Sequence, residues 1–218
     1  MKQIALAAVL ATPFATPLGA HPHIFVDVGL EGIVDDQGQL TQVKVTWAYD
    51  ALFSLLVTEE KGLDTDGDAV LTAEEEASLS GFDAQWVPGY NGDLVAELDG
   101  KPLNLSGPLE PTAVMREGRI VTTHLRDVSG MPSVAGKVLT FSPYDVSYYT
   151  AYDVTLNLAM RGLEGCEIGK QEPEINNEML SLQAALSELS RDESSFEMGF
   201  PAVGANFATK VVITCAPS

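Results

Sequence analysis

The twelve residues from Asp64 to Glu75, Asp-Thr-Asp-Gly-Asp-Ala-Val-Leu-Thr-Ala-Glu-Glu, put oxygen donors at loop positions 1, 3, 5, 7, 9 and 12. That is the spacing of an EF-hand calcium loop, because calcium takes six to eight hard oxygen ligands at roughly 2.3 to 2.6 Å. Asp64, Asp66, Asp68, the Val70 carbonyl, Thr72 through a water and a bidentate Glu75 would supply them, with Leu71 as the apolar plug. Position 6 needs a positive φ, and here it is Ala69 instead of glycine. A left-handed alanine costs about 1 to 2 kcal/mol. The expected affinity is therefore weak, in the range of roughly 10⁻⁴ to 10⁻³ M typical of extracellular modules. The same residues also read as an Asp-rich turn before a helix whose Thr72 and Glu75 form a capping box. Both readings start a helix at Thr72, so capping and calcium binding can coexist.

Histidine supplies a second chemistry. The chain has three, His21, His23 and His124. A cut after Ala20 would make His21 the first residue, where a free amine and an imidazole on one residue can chelate a metal. His23 lies two residues on, Asp27 farther along the same strand face, and His124 on the polar side of another strand could approach. Such a set suits zinc or nickel, and a copper brace of one amine and two imidazoles is a further option. Pro22 lacks an amide proton, which excludes the square-planar amine-amide-amide-imidazole copper site. The plain alternative is an exposed chain terminus and an ordinary surface strand histidine.

Export is expected from residues 1 to 20. Lys2, the apolar run from Ile4 to Leu10 and the small residues closing at Ala20 read as a cleaved signal peptide. Pro13 and Pro17 break that run, and no later segment approaches the length of a membrane span, so no membrane insertion of the mature chain is expected. Loss of the leader removes one lysine and no acid, which deepens the formal charge from −19 to −20. Nucleic acid and anionic membrane surfaces are poor partners for such a chain. The two cysteines, Cys166 and Cys215, are most simply a disulfide in an oxidising compartment. It would close a loop of about 50 residues and contribute roughly 4 kcal/mol.

These residues need a scaffold, and period-two alternation supplies it. Ile24, Val26, Val28 and Leu30 share one face, and Val43, Val45 and Trp47 repeat the pattern after the turn Asp35-Asp36-Gln37-Gly38. Further strands are expected at Leu94 to Leu98, Pro102 to Leu105, Thr112 to Arg116, Arg119 to Leu125, Lys137 to Phe141, Ala151 to Met160 and Lys210 to Cys215. Helical spacing replaces alternation at Asp50 to Lys61, stopped by Gly62, then at Thr72 to about Ser80, and late at Asn177 to Leu189. The expected fold is mainly β with some α, an antiparallel sandwich-like domain over residues 21 to 218. A helix, EF-hand-like loop and helix are inserted at about residues 50 to 86.

The opening His21-Pro22-His23-Ile24-Phe25-Val26-Asp27 resembles that of the DUF1007 family of bacterial periplasmic proteins. Val45-Thr46-Trp47 before a short helix, the Asp-rich loop, Gly100-Lys101-Pro102-Leu103, Ser142-Pro143-Tyr144-Asp145, Tyr148-Tyr149-Thr150-Ala151-Tyr152, Gly165-Cys166 and Val212-Ile213-Thr214-Cys215 continue the likeness. The resemblance implies a periplasmic metal-handling protein that serves a permease of the nickel, cobalt or zinc type. On that view His21 and His23, with Asp27 or His124, capture zinc or nickel while calcium stiffens the inserted loop. Two other classes remain open. One is a copper oxidase or oxygenase using a brace of His21 plus one more imidazole, preferably that of His124. The other is an interaction module presenting Tyr144, Tyr148, Tyr149 and Tyr152, whose bland reading is half-buried strand packing. Gly-x-Ser-x-Gly, His-Glu-x-x-His and Walker patterns do not occur.

Overall fold

Alternating burial builds the first hairpin. Strands β1 (Ile24–Val34) and β2 (Leu40–Tyr49) pair antiparallel, with Val26, Val28 and Leu30 on the same side as Val43, Val45 and Trp47. The computed structural model describes residues 22–187 and 203–217. Between the strands, Asp35 Oδ1 accepts the backbone N–H groups of Gln37 and Gln39, and Gly38 supplies φ 75°.

Two sheets enclose one core. The first adds β6 (Arg119–Asp127) beside β2, β5 (Leu109–Arg116) beside β6, and both β8 (Thr150–Asp153) and β9 (Leu158–Arg161) beside β1. The second runs β10 (Cys166–Gln171), β11 (Lys210–Cys215), β7 (Val138–Pro143), β3 (Leu94–Leu98) and β4 (Lys101–Leu103). Val28, Val45 and Ile120 of the first sheet share a core cluster with Leu139, Phe141, Val211 and Ile213 of the second. The protein is therefore mainly β with added helices, as the alternation predicts.

Three details depart from the expected strands. Ala151 to Met160 divides into β8 and β9, and both run parallel to β1, so the first sheet is mixed. The break passes close over Gly29, where an added Cβ would stand 3.1 Å from the Asn157 carbonyl oxygen. Backbone bonds from Leu156 N–H to Val28 O and from Leu30 N–H to Asn157 O hold it there. β10 was not anticipated; its exposed positions weaken the alternation of a strand paired on one side. Cys166 faces Cys215 in its register, and the two are disulfide-bonded. The late helix is α3 (Asn177–Ser187), and the last two residues of the expected span lie outside the described residues.

The inserted unit consists of α1 (Ala51–Lys61), the Asp-rich loop and α2 (Ala73–Leu79). Asp50 caps α1 by accepting Phe53 N–H, and Gly62, left-handed at φ 65°, ends it. The buried face of α1 is Ser54, Val57 and Thr58, which leaves Leu52, Leu55 and Leu56 exposed. Ser54 decides that phase, since its hydroxyl accepts the buried N–H of Ile120 at 2.9 Å where the ladder of β2 has ended. On α2, Ser80 Oγ accepts Ala113 N–H and Glu76 Oε1 accepts Met115 N–H, both on β5. Replacing Ser54 by alanine leaves a buried donor unmet, so Ser54→Ala is expected to lose about 1 to 3 kcal/mol in a urea unfolding titration.

Candidate metal centre

The loop after Gly62 brings three carboxylates together. Asp64, Asp66 and Asp68 each offer an oxygen within 4.8 Å of the others, the one such grouping of three or more His, Cys, Asp or Glu among the described residues. Asp64 orders the turn by accepting the N–H groups of Asp68 and Ala69, and Asp68 Oδ1 accepts that of Val70 at 2.8 Å. Ala69 stands at φ 59°, the left-handed conformation that position 6 demands. Leu71 is buried in the main core, which ties the loop to the sandwich.

Glu75, at position 12, lies outside that grouping of three carboxylates and instead ties the two ends of the loop together by hydrogen bonds. Its Oε1 accepts Asp64 N–H at 3.1 Å, and its Oε2 accepts both the N–H and the hydroxyl of Thr72. The backbone bond from Thr72, then its hydroxyl, hold the carboxyl below its usual range, with Asp64 N–H assisting. Thr72 Oγ1 accepts Glu75 N–H in return, completing the capping box. A carboxylate oxygen has two lone-pair sites, so these bonds fill Oε2 and leave one site on Oε1; bidentate coordination of a cation would need Oε2 to give up a Thr72 bond. The donor set is all oxygen and anionic, which suits calcium.

Among the described residues, no grouping of three or more metal-ligating side chains includes a histidine of the proposed set. His21 lies outside the described residues. His23 donates its N–H to Tyr149 O, and its ring centroid is 4.7 Å from that of Tyr149. Asp27 follows on the outer face of β1, already committed to an ion pair with Arg119 Nη1 at 2.6 Å and a hydrogen bond from Thr155. Partial burial would raise this carboxyl, but those bonds and the charge of Arg119 outweigh it and hold it low. His124 is not on a polar outer face. It is 3% exposed on the inner side of β6, between Trp47 and Trp86 with ring centroids at 5.0 and 5.5 Å. Strand parity separates it from Asp27: Val45, opposite His124, faces the core, whereas Ala48, opposite Asp27, lies on the other parity of β2. Asp27 and His124 therefore lie on opposite faces of the first sheet, and the expected polar-face placement of His124 is corrected.

The family model described as a protein of unknown function, DUF1007, matches residues 5–215. The chain belongs to the DUF1007 family. A search of curated proteins gives no match. No described helix of this DUF1007 protein is long and apolar enough to cross a membrane.

A buried polar network, not anticipated from sequence, fills the space around His124. Tyr49 and Thr122 donate hydroxyl protons to Asp83 Oδ2 at 2.9 and 2.6 Å, and Tyr152 donates to Asp93 at 2.8 Å. Arg126 lies 4.8 Å over the Trp86 ring and donates to the carbonyls of Ser106 and Asn91. One signal was available: Thr122, His124 and Arg126 share the parity of Ile120, a polar run on what must be a core face. Burial, reinforced by Arg126, pushes the His124 imidazole down to about 4, and its Nε2 meets no hydrogen-bond partner among the described residues. Burial also pushes the Asp93 carboxyl up to about 6, with the charge of Asp145 adding to it and hydrogen bonds from Tyr90 and Tyr152 opposing.

These two shifts act oppositely on stability. His124 binds its proton more weakly folded than unfolded, so acidification from its ordinary 6.5 towards 4 destabilises the DUF1007 fold by about 3 kcal/mol. Asp93 binds its proton more tightly when folded, so the same acidification, from about 6 to its ordinary 3.8, relieves about 3 kcal/mol. Relative to the parent protein, His124→Gln should gain stability as the pH falls from 6.5 to 4, and Asp93→Asn should lose it. Urea unfolding at a series of pH values reads both slopes, and parallel slopes for parent and variants would contradict the assignment.

Proposed function

We propose that this DUF1007 protein is an exported metal-binding accessory protein, with calcium bound at Asp64, Asp66, Asp68, the Val70 carbonyl, Thr72 and Glu75. The observation that carries the calcium reading is the convergence of three aspartates in a loop whose sixth residue is left-handed without being glycine. A residue held in that conformation persists only when its surroundings require it. Calcium in this role is structural. It stiffens the loop between α1 and α2, whose side chains hold strand amides of the first sheet.

The transition-metal part of the proposal rests on His21 and His23, which would capture zinc or nickel and pass it to a permease of the nickel, cobalt or zinc type. His23 supports it by being anchored through its backbone to Tyr149 at the start of the first sheet. Asp27 is occupied by Arg119, and His124 faces the core, so neither is offered as a ligand. Burial of His124 removes the preferred second imidazole of a copper brace, which favours a binding role. The disulfide Cys166–Cys215 supports an oxidising compartment such as the periplasm.

Calcium at about a hundred times its dissociation constant is expected to stabilise the protein by about 2.7 kcal/mol in thermal unfolding. Glu75→Gln should abolish most of that gain, and Ala69→Gly should raise the melting temperature at saturating calcium by relieving about 1 to 2 kcal/mol of loop strain. A melting temperature indifferent to calcium would remove the site. For the transition metal, elemental analysis of protein purified from the periplasm with its native N-terminus should find zinc or nickel, lost in His21→Ala with calcium retained. Metal content unchanged by that substitution would refute the histidine site and leave the calcium reading standing.

A further inference from the structure

A second site of different chemistry lies beside β8. A cavity of about 210 Å³ is lined there by Tyr144, Tyr148, Tyr152 and Phe207, with Asp153 and Glu172 as the charged groups on its wall among the described residues. The rings are held in place. Tyr148 stacks on Phe207 with centroids 4.2 Å apart and planes at 22°, and the Tyr152 hydroxyl is drawn away to Asp93. Glu172 is also fixed, since its Oε2 accepts the hydroxyl of Thr209 at 2.6 Å, which leaves its second oxygen for another donor. The carboxylate of Asp153 receives no hydrogen bond or ion pair among the described residues, although it borders this cavity and the neighbouring one at Asp27 and Arg119. The wall therefore combines aromatic residues with two exposed acidic residues and contains no lysine or arginine of its own among those residues.

We infer that this cavity binds a small organic cation carrying a guanidinium or ammonium head on a short apolar stem. A planar guanidinium satisfies both halves of the wall, stacking on tyrosine faces while its N–H fork meets the carboxylates. Anions are repelled by Asp153 and Glu172, and a neutral ligand gains only the stacking. The chain's formal charge of −19 raises the local concentration of any cation, so charge attraction alone must be separated from binding in the cavity. None of these residues belongs to the loop from Asp64 to Glu75 or to the chain start, so the inference stands apart from the metal reading.

The test is calorimetric titration of the calcium-saturated mature protein with n-butylguanidinium and with n-butylurea, its nearly isosteric neutral counterpart. Butylguanidinium should bind at a single saturable site, and butylurea at least about tenfold more weakly, because the ionic hydrogen bonds are lost. Asp153→Asn and Phe207→Leu, each checked for unchanged circular dichroism, should each weaken butylguanidinium by about tenfold. Glu117→Gln, an exposed acid in a remote turn, should leave it unchanged. No saturable binding, equal binding of the two probes, or equal weakening by Glu117→Gln and Asp153→Asn would overturn the site. That last result would assign the binding to general charge attraction.

Discussion

Among the described residues, four strand amides donate to side chains of the helical unit instead of to another strand. Phe25 N–H goes to Asp50, Ile120 N–H to Ser54, Ala113 N–H to Ser80 and Met115 N–H to Glu76. A backbone donor at a ladder's end or on an edge strand must find an acceptor, and these pairings fix where α1 and α2 sit. The placement of the Asp-rich loop follows, because Gly62 ends one helix and Thr72 starts the next on either side of it. Leu71 adds the apolar anchor at its base. The Asp-rich loop is thus a strut between two covered strand ends.

On the outer face of the first sheet, Arg119 performs a similar closure with charge. Its guanidinium donates to the carbonyls of Tyr49 and Ala48 and to Asp27, which also receives the Thr155 hydroxyl. One side chain of β6 so binds β2, β1 and the break between β8 and β9. This engagement explains why Asp27 serves structure here. On the inner face, polar groups are enclosed with the aromatics, and most are paired: Asp83 with Tyr49 and Thr122, Asp93 with Tyr152, and Arg126 with two carbonyls. A buried polar group is tolerable only with such partners. His124 is the exception: its Nε2 meets no partner among the described residues, and burial holds the imidazole neutral.

The region around β8 shows how one short strand serves two settings. Its parallel pairing with β1 places Asp27 directly beside Asp153, while its other border helps wall the tyrosine-lined cavity. Tyr144, Tyr148 and Tyr152 are half-buried there, and Tyr149 is the exposed member of the group, its ring tilted against that of His23. The tyrosine repeat is therefore mostly packing, with its remaining surface turned to a concave wall.

Local chemistry was legible along the chain wherever a short-range rule governs it. The convergence of Asp64, Asp66 and Asp68, the Thr72 capping box, the Gly62 stop and the alternation of β1 and β2 each depend on neighbours within a few residues, and each is found in place. The family likeness was legible too, and the matching family model covers residues 5–215. Only the tertiary structure decided which side of an element faces inward. The leucines of α1 have helical spacing, yet Ser54 turns inward because Ile120 N–H needs an acceptor there. His124 looks polar in sequence, yet its parity on β6 places it in the core and away from Asp27. Strand direction was likewise hidden, since β8 and β9 owe their parallel pairing to contacts with Val28 and Leu30, more than a hundred residues earlier in the chain. Such facts follow from which distant groups come to share a space, and no window of neighbouring residues contains that information.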